Sequence, residues 1–568
     1  MEFNYPGDIF TVIWNQTYYL FGHGLAFSVA LAALPILTLM ILLGVMRKPA
    51  WVAGFVGLAV TLVLATMAYH MPVRAAISAA VNGVAFGLLP ISWIVFWAIV
   101  LFHVTVETGH FEIIKDSLGQ LTPDPRLQAL LIAFAFGGFL EGAAGFGTPV
   151  AIASSMLIGL GFTAFSASAI CLLANTAPVA FGSIGIPVVT LAGTTGLPLD
   201  QLSAAVGRIC TPMSLLIPAY LIAAMGGFGS LSGAWIPTLI AGGTFAVVQL
   251  LVSIYFGPHL TDILAAIVTM AALVLWFRSH SNKNEEAALA AGPWMRFACT
   301  NADGSSNAGD GKSKDPSSHS IGAILYAWLP YALLVLCVLL WGWLPFQALL
   351  NKTTIIIHWP YLDNLVQRMP PIVPRPTPYH AIYNLNWLSA SGTACMAATM
   401  LSALCLKIKP RDFTRIIGKT IHQLALPTLT VTSVLALAFL MNYCGATATL
   451  GLAFSATGRA FPFFSSLLGW IGVFITGSDT SANALFGSLQ VVTANRLGFD
   501  PVLMAAANSS GGVMGKMISL QSIAIAAAAT GLTQSEQAKL FRFTLKHSAL
   551  LAVVVGLVTL LFTYVIHF

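Results

Sequence analysis

The sequence predicts an all-α polytopic membrane protein that contains two inverted repeats, and three observations support this fold class. First, 57% of the 568 residues are hydrophobic and only 8% are charged, whereas a typical soluble domain carries about 25% charged residues. Second, apolar runs of about 20 residues, the length that crosses a bilayer, recur along the chain. Third, two Gly-rich polar segments, each with one carboxylate, interrupt apolar runs in distant parts of the chain. Paired interruptions of this kind are typical of a secondary transporter.

Twelve full membrane spans are predicted from length and hydropathy. They lie at 22–45, 50–69, 75–106, 164–193, 201–225, 233–256, 260–277, 321–345, 385–406, 420–441, 499–531 and 547–567. Two further apolar segments, 127–160 and 464–492, have polar, Gly-containing centres. Because helix-breaking sequence at membrane depth is tolerated only against protein or a watery cavity, we predict that both are re-entrant hairpins with tips in the middle of the membrane.

Loop charges predict the orientation. The net charge is +6, and basic residues concentrate in short loops, at Arg47 and Lys48, within 407–419 and within 539–546. Such loops mark the cytoplasmic face, a distribution that suits membrane orientation and gives no support to nucleic-acid binding. Counting spans from any of these loops places both termini in the periplasm, and the two hairpins then enter from opposite sides. The repeats are therefore predicted to be inverted.

Two polar segments suggest the domain organisation. The segment 278–320 has the composition of a flexible cytoplasmic linker, and it separates an N-terminal half, 1–277, from a C-terminal half, 321–568. Each half is predicted to hold one repeat, made of a hairpin and a broken helix: 127–160 with 164–193, and 464–492 with 499–531. A Pro-rich periplasmic loop, 346–384, is either a rigid connector or a cover over the entrance.

Three ionisable residues are predicted at membrane depth: Glu141, Asp479 and Lys516. A charge at the bilayer centre costs at least about 3 kcal/mol, so each needs a partner or a function. In one interpretation Glu141 and Asp479 couple transport to protons and Lys516 binds the substrate. In the other, Asp479 and Lys516 neutralise each other and Glu141 caps a half-helix. We expect Glu141 to carry the proton, because its Gly- and Ala-rich surroundings offer no cation.

Hydroxyl and amide side chains near these charges suit a small carboxylate that also carries a hydroxyl. For each of them, hydrogen bonding to the carbonyls of a broken helix is an alternative role. The predicted substrate-binding set comprises Lys516 with Thr148, Asn175, Thr176, Ser478, Thr480, Ser481, Asn508, Ser509 and Ser510. The glycines predicted to form the hairpin turns and helix breaks are Gly142, Gly145, Gly147, Gly477, Gly511 and Gly512.

The sequence contains neither a Walker motif nor an H-E-x-x-H motif, so ATP-driven pumping and metalloproteolysis have no support. We expect no metal, no cofactor and no enzymatic activity. A sodium-coupled di- or tricarboxylate carrier is one alternative, but it would be expected to present more than one cation at the site. A membrane-embedded aspartyl hydrolase is another; it needs two facing aspartates, and Asp479 is the one aspartate predicted at membrane depth. The oligomeric state stays open, a homodimer included.

Four segments, 139–147, 175–182, 477–486 and 516–525, resemble signature segments of the bacterial L-lactate permease family, and the similarity extends over essentially the whole chain. This resemblance implies proton-coupled uptake of L-lactate, with D-lactate and glycolate as related substrates, in the bacterial inner membrane. It also implies an ion-transporter superfamily fold with inverted repeats and elevator-like movement. Leu520 occupies a position where the family pattern has Pro, which predicts a less kinked helix beside Lys516.

Overall fold

The computed structural model describes residues 2–3, 13–119, 121–145, 147–280 and 319–566. The described chain is predominantly helical and contains 11 helices that are long and apolar enough to cross a membrane, or up to 13 if each of two bent pairs forms one span. The predicted all-α polytopic fold class is thereby confirmed. Most of the predicted linker, 278–320, lies outside the described residues.

The first helical part of the chain, within 25–119, supplies three candidate membrane spans and one shorter helix. Its helices are α1 Leu25–Met40, α2 Ala50–Val63, α3 Val73–Phe86, α4 Trp93–Glu107 and α5 His110–Gly119. π-helical turns extend α1 to Val45 and α2 to Ala68. A third π-helical segment, which contains Pro90, joins α3 to α4. Proline removes a helical hydrogen bond and kinks a helix, so the long predicted span at 75–106 is two helices meeting at a bend.

Hairpin 1 consists of two limbs, of which the first is buried along its whole length. Its first limb is α6 Pro125–Gln128, the π-helical segment Ala129–Phe136 and α7 Gly137–Ala143; its second limb is α8 Thr148–Gly159. Between the limbs, Gly145 and Gly147 adopt φ values of +56° and +84°, which glycine reaches without steric penalty.

A broken helix and three further spans complete this half. The broken helix consists of α9 Ala164–Ala174 and α10 Gly182–Thr195, joined by a 3-10 turn Val179–Phe181 and bent by 67°. The three spans are α11 Leu199–Gly226, α12 Trp235–Tyr255 and α13 Thr261–Ser279.

The C-terminal half repeats the hairpin and the broken helix. It starts with α14 Ile321–Ala327, α15 Leu329–Gly342, α16 Leu344–Asn351, α17 Ser391–Cys405, α18 Pro410–Cys444 and α19 Ala446–Phe454. Hairpin 2 is α20 Phe461–Thr476 with α21 Asp479–Leu497, and the second broken helix is α22 Pro501–Lys516 with α23 Leu520–Thr530. The last helix is α24 Gln534–Leu561, which a π-helical turn extends to Ile566. The segment Pro501–Thr530 has no bend of the size seen in the first broken helix.

Two helices begin earlier than the sequence predicts, and one further helix is not predicted. α18 begins at Pro410, 10 residues before the predicted start of its span at 420, and α24 begins at Gln534, 13 residues before 547. A helix continues past its apolar part into polar surroundings that hydropathy does not register. α19 was not predicted at all. Its nine residues are too short for a span, and they lie buried beside hairpin 2.

The Pro-rich loop folds into small sheets with residues from the start of the chain. Its strands are β1 Glu2–Phe3, β2 Trp14–Asn15, β3 Ile355–His358, β4 Val366–Arg368, β5 Thr377–Pro378 and β6 Ile382–Leu385. The sheet orders are β1-β3-β6 and β2-β4-β5; β1 with β3 and β2 with β4 are parallel, and the other two pairs are antiparallel. Trp359 donates to the Ser78 carbonyl at 2.9 Å and Tyr383 to the Leu89 carbonyl at 2.8 Å. The loop is therefore fastened to α3 and to the segment that follows it.

Packing divides the membrane helices into two groups. In the scaffold group, 25–107 and 321–444, α18 packs on α2 and α3, and α17 packs on α4 and α15. In the core group, 125–279 and 461–561, each broken helix packs on the opposite repeat. α10 lies against α21 of hairpin 2, and α23 lies against α8 of hairpin 1. This reciprocal packing is what two equivalent, interlocked repeats require.

Candidate functional site

A cavity of about 1290 Å³ lies between the scaffold group and the core group. Arg47, Lys48 and Arg542, all exposed, line its mouth. These three residues belong to basic segments that the sequence predicts on the cytoplasmic side, although Arg542 lies in the first part of α24. At its inner end the cavity is lined by both hairpin tips and by Lys516. Hairpins, broken helices and basic residues predicted from distant parts of the sequence therefore meet at one cavity.

Glu141 lies on α7, near the tip of hairpin 1, and is only 4% exposed although it lines the cavity. Its Oε2 accepts a hydrogen bond from Asn175 Nδ2 at 3.2 Å. On its other side, a Cβ added to Gly182 would lie 2.7 Å from Oε1. Asn175 follows α9 and Gly182 begins α10, so the break of the first broken helix surrounds the Glu141 carboxyl. One repeat thus supplies both the acid and its surroundings.

Asp479 is the first residue of α21, and its environment resembles that of Glu141 in the other repeat. Its Oδ2 accepts hydrogen bonds from Ser509 Oγ at 2.6 Å and from Asn483 Nδ2 at 3.2 Å. Within the described part of the chain Oδ1 has no hydrogen-bond partner. A Cβ added to Gly512 would lie 2.3 Å from this oxygen. The carboxyl therefore occupies space that only a glycine on α22 leaves free.

Lys516, the last residue of α22, interacts with both acids without forming a direct ion pair. Its Nζ donates to the Gly477 carbonyl, at the tip of hairpin 2, at 2.7 Å. Among the described residues no carboxylate oxygen lies within 4.0 Å of Nζ. Electrostatic interactions nevertheless connect it to Glu141 and Asp479. The expectation that Glu141 has no cation near it was therefore wrong, because the fold brings Lys516 of one repeat towards the acid of the other.

The predicted substrate-binding residues divide into two sets. Thr148, Ser478, Thr480 and Ser481 line the cavity together with Lys516. Five others lie behind its surface in this conformation: Asn175, Thr176, Asn508, Ser509 and Ser510.

The second set forms hydrogen bonds within the protein. Asn175 and Ser509 hold the two acids, as described above, and Thr176 donates to the Leu173 carbonyl at 2.7 Å. Asn508 donates to Asn483 Oδ1 at 2.9 Å, and Ser510 accepts a hydrogen bond from Cys210 Sγ at 3.5 Å. Of these five residues, Thr176 has the alternative role considered above, hydrogen bonding to a carbonyl of the broken helix, and the other four bond to side chains within the protein.

The predicted glycines also have different roles. Gly145, Gly147 and Gly477 have positive φ and form the hairpin turns. Gly142 lies within α7, and Gly511 and Gly512 lie within α22, so their assignment to the breaks was wrong. The second broken helix is interrupted only after Lys516. Gly511 instead permits close packing, because a Cβ there would lie 2.0 Å from the Ser466 carbonyl oxygen of α20.

Three residues at or near the site were missed by the sequence analysis. Ser183 and Gln521 line the cavity, and Ser183 Oγ donates to the Ala144 carbonyl at the tip of hairpin 1 at 3.3 Å. Asp262, near the start of α13, is 1% exposed and is therefore a second buried aspartate beside Asp479. The sequence alone could have identified Asp262 as a candidate, because an aspartate inside a predicted span is unusual. Gln521 lies in one of the segments that carry the family resemblance.

The described residues contain no group of three or more His, Cys, Asp or Glu side chains placed to hold a metal ion. The cavity instead ends at hydroxyl groups, two acids and one lysine, all positioned by interrupted helices. A polar cavity that reaches such a site between two groups of membrane helices defines a carrier for a small polar solute.

Comparison with known proteins identifies the family of carriers to which the chain belongs. The L-lactate permease family model matches residues 28–566. The glycolate permease GlcA of Escherichia coli (strain K12) is 43% identical over 560 residues, covering 98% of this chain and 99% of the relative. The L-lactate permease of Bacillus subtilis (strain 168) is 43% identical over 568 residues, covering 96% and 98%. The chain belongs to the L-lactate permease family, as its signature segments indicated, and it is a multi-pass bacterial membrane protein.

Similarity to a solved structure is weak. The crystal structure of the Alcanivorax borkumensis YdaH transporter superposes with a TM-score of 0.40 at 16% identity and covers 85% of this chain and 86% of that one. At this level the likeness carries no weight for fold or function.

Proposed function

We propose that this protein takes up L-lactate, with D-lactate and glycolate as related substrates, by proton symport across the bacterial inner membrane. The observation that carries the proposal is a single lysine, Lys516, between two buried acids at the inner end of a cavity that belongs to a lactate permease family member. The relatives are named as permeases for L-lactate and for glycolate. Both substrates are small hydroxycarboxylates. We infer transport without enzymatic catalysis and without a cofactor.

The substrate carboxylate is proposed to bind at Lys516 and at the N-termini of the second hairpin limbs. α8 begins at Thr148 and α21 follows its N-cap residue Ser478, and both of these residues line the cavity. The N-terminus of a helix presents unpaired N–H groups and partial positive charge, which favour an anion. Hydroxyl groups of Thr480 and Ser481 can then hydrogen-bond the carboxylate or the substrate hydroxyl.

Charge balance supports coupling to a proton. Lactate brings one negative charge to a site that already contains Glu141, Asp479 and one lysine. Because uncompensated charge is costly at membrane depth, the substrate-loaded site is stabilised by one additional proton. Glu141 is the proposed carrier, and Asp479 is the second candidate. A carrier that moves one lactate anion with one proton transfers no net charge.

An elevator-like movement is proposed for the core group. Both acids and Lys516 belong to the core group, whereas much of the scaffold side of the cavity is apolar and includes Leu43, Ile99 and Val431. A smooth apolar wall permits sliding without breaking polar contacts. With the basic loops in the cytoplasm, the cavity faces inward and both termini lie in the periplasm. The oligomeric state, a homodimer included, is left to measurement.

Uptake by the purified protein in liposomes tests the proposal. An inward proton gradient should drive accumulation of labelled lactate, and an inward sodium gradient at equal pH should not. Accumulation driven by sodium would instead support the sodium-coupled alternative. Empty liposomes and liposomes with equal pH on both sides are the controls, and unlabelled glycolate and D-lactate should compete with the labelled substrate.

A further inference from the structure

Asp262 is a deeply buried acid that the transport scheme above does not use. It is the second residue of α13 and is 1% exposed. Within the described chain, neither of its carboxyl oxygens has a hydrogen-bond partner. The Gln249 side chain of α12 is the polar group that interacts with this carboxyl, although its Nε2 donates to the Ala177 carbonyl at 3.3 Å and its Oε1 accepts from Ser214 at 2.6 Å. A buried carboxylate with so little hydrogen bonding is costly, so this group needs a proton or a function.

Glu141 is the neighbouring acid that influences whether Asp262 is ionised. A Cβ added to Gly142, next to Glu141 in the chain, would lie 2.9 Å from Asp262 Cβ, so α13 contacts hairpin 1 beside the proton site. The two acids interact electrostatically. Two neighbouring carboxyls resist ionising together, which favours a proton on one of them.

The other elements packed around Asp262 bring few titratable groups. α13 packs on α7, on the π-helical segment Ala129–Phe136, on α10 and on α12. α10 and Ala129–Phe136 contain no ionisable residue, and α12 contains only the exposed Tyr255. From α11, Cys210 interacts electrostatically with both Asp262 and Asp479. Glu141 is thus the acid that faces Asp262 from a packed helix.

Asp262 and Glu141 also differ in their position relative to the cavity. Glu141 lines the cavity, whereas Asp262 does not. Counting crossings from the cavity mouth, α13 begins on the opposite side. His259, one turn earlier, donates from Nδ1 to the Ile184 carbonyl at 3.0 Å, and its Nε2 lies 2.9 Å from Ser391 Oγ of the scaffold group.

We propose that Asp262 is a second proton-binding residue of this carrier, which exchanges the transported proton with Glu141 from the side away from the cavity mouth. The step is a proton transfer from one carboxyl to the other carboxylate, with no change in covalent bonding elsewhere. This inference rests on the proposed proton symport. It adds a residue that the cavity alone does not reveal.

The test uses Asp262→Asn in the full-length protein in liposomes and measures two activities. Exchange of labelled for unlabelled lactate at equal pH should stay within about twofold of the parent, because exchange does not require the proton to complete its cycle. Accumulation driven by a proton gradient should fall at least tenfold, and the pH midpoint of exchange should shift. Asp200→Asn, an exposed aspartate near the start of α11, is the matched control and should change neither activity.

Each outcome separates this inference from the proposed function. If the parent protein itself does not accumulate lactate in a proton gradient, the proton symport is wrong. If the parent accumulates lactate and Asp262→Asn matches it in both activities and in pH midpoint, the role of Asp262 is refuted. An equal loss of exchange and accumulation in a well-folded variant also refutes it, because that pattern indicates a structural role. Should Asp262→Asn not fold, Asp262→Glu should accumulate lactate with a shifted pH midpoint, and an unchanged midpoint would refute the proposal.

Discussion

Replacing Lys516 with alanine should remove lactate binding at neutral pH. In the structure Lys516 is the one cation among the described residues at the inner end of the cavity, and its Nζ donates to the Gly477 carbonyl at 2.7 Å. Lys516→Ala therefore removes a positive charge from between Glu141 and Asp479 and also frees a carbonyl at the tip of hairpin 2. The substrate carboxylate would then enter a site that already holds negative charge.

Two contributions determine the expected magnitude. Removing one member of a buried, hydrogen-bonded charge pair typically costs about 2 to 5 kcal/mol of binding. Since 1.4 kcal/mol is a factor of ten, lactate affinity should fall about 30-fold to several thousand-fold. The unpaired Gly477 carbonyl adds a cost to folding of about 1 to 3 kcal/mol. Stability and affinity therefore have to be measured separately.

The assay is lactate binding by the purified protein, with thermal unfolding measured in parallel. Lys516→Ala also leaves Asp479 without its nearby cation, so the double variant Lys516→Ala with Asp479→Asn is the control for stability. If Lys516 contacts the substrate, lactate affinity stays lost in a well-folded double variant. Near-parental affinity in that variant would refute the reasoning, since Lys516 would then serve only to neutralise Asp479. The carboxylate site would have to be sought at the half-helix ends near Asn175 and Asn508.

Three further predictions concern coupling and packing. Glu141→Gln should abolish accumulation driven by a proton gradient while lactate exchange persists; a variant that still concentrates lactate like the parent would place the proton elsewhere, with Asp479 next. Gly512→Ala should strongly reduce lactate uptake, because its Cβ would lie 2.3 Å from Asp479 Oδ1. Gly243→Ala is the control and should be tolerated, because no atom lies within 4 Å of the new Cβ. Equal uptake by both variants would contradict the packing argument. A membrane potential, worth about 2.3 kcal/mol per charge per 100 mV, should not drive net uptake in liposomes clamped at equal pH, and potential-driven accumulation would exclude a one-to-one stoichiometry.

The sequence located both hairpins and the three charges, because charge and glycine inside apolar runs stand out locally. Hairpin 1 was predicted at 127–160, and its limbs extend from Pro125 to Gly159. Glu141, Asp479 and Lys516 are conspicuous as charges within apolar sequence, and the fold brings all three to one cavity. The predicted starts of α18 and α24 are less accurate, because the first turns of these helices are polar and hydropathy does not register them.

Contacts between distant segments could not be predicted from local sequence. Asn508 and Ser509 have polar side chains of the type that binds ligands. Because α21 packs on α22, Asn508 instead hydrogen-bonds to Asn483, and Ser509 to Asp479. Asp262 occurs near the end of a predicted span, and only the packing of α13 on hairpin 1 places it beside Gly142. Tertiary contacts of this kind decide whether a polar group faces the cavity or the protein interior. They cannot be predicted from the local sequence around each residue.

The reciprocal packing of the repeats has a consequence for biogenesis. The second limb of hairpin 1, α8, is synthesised early, yet α23, which lies against it, is among the last helices to leave the ribosome. A Cβ on Gly147 would lie 2.3 Å from Ile525, so even the turn of hairpin 1 is closed by a residue near the other end of the chain. The contacts that complete the turn of hairpin 1 therefore form only when translation is nearly complete. Assembly of the whole site is a late event in synthesis, even though Asn175 and Gly182 beside Glu141 are made soon after hairpin 1.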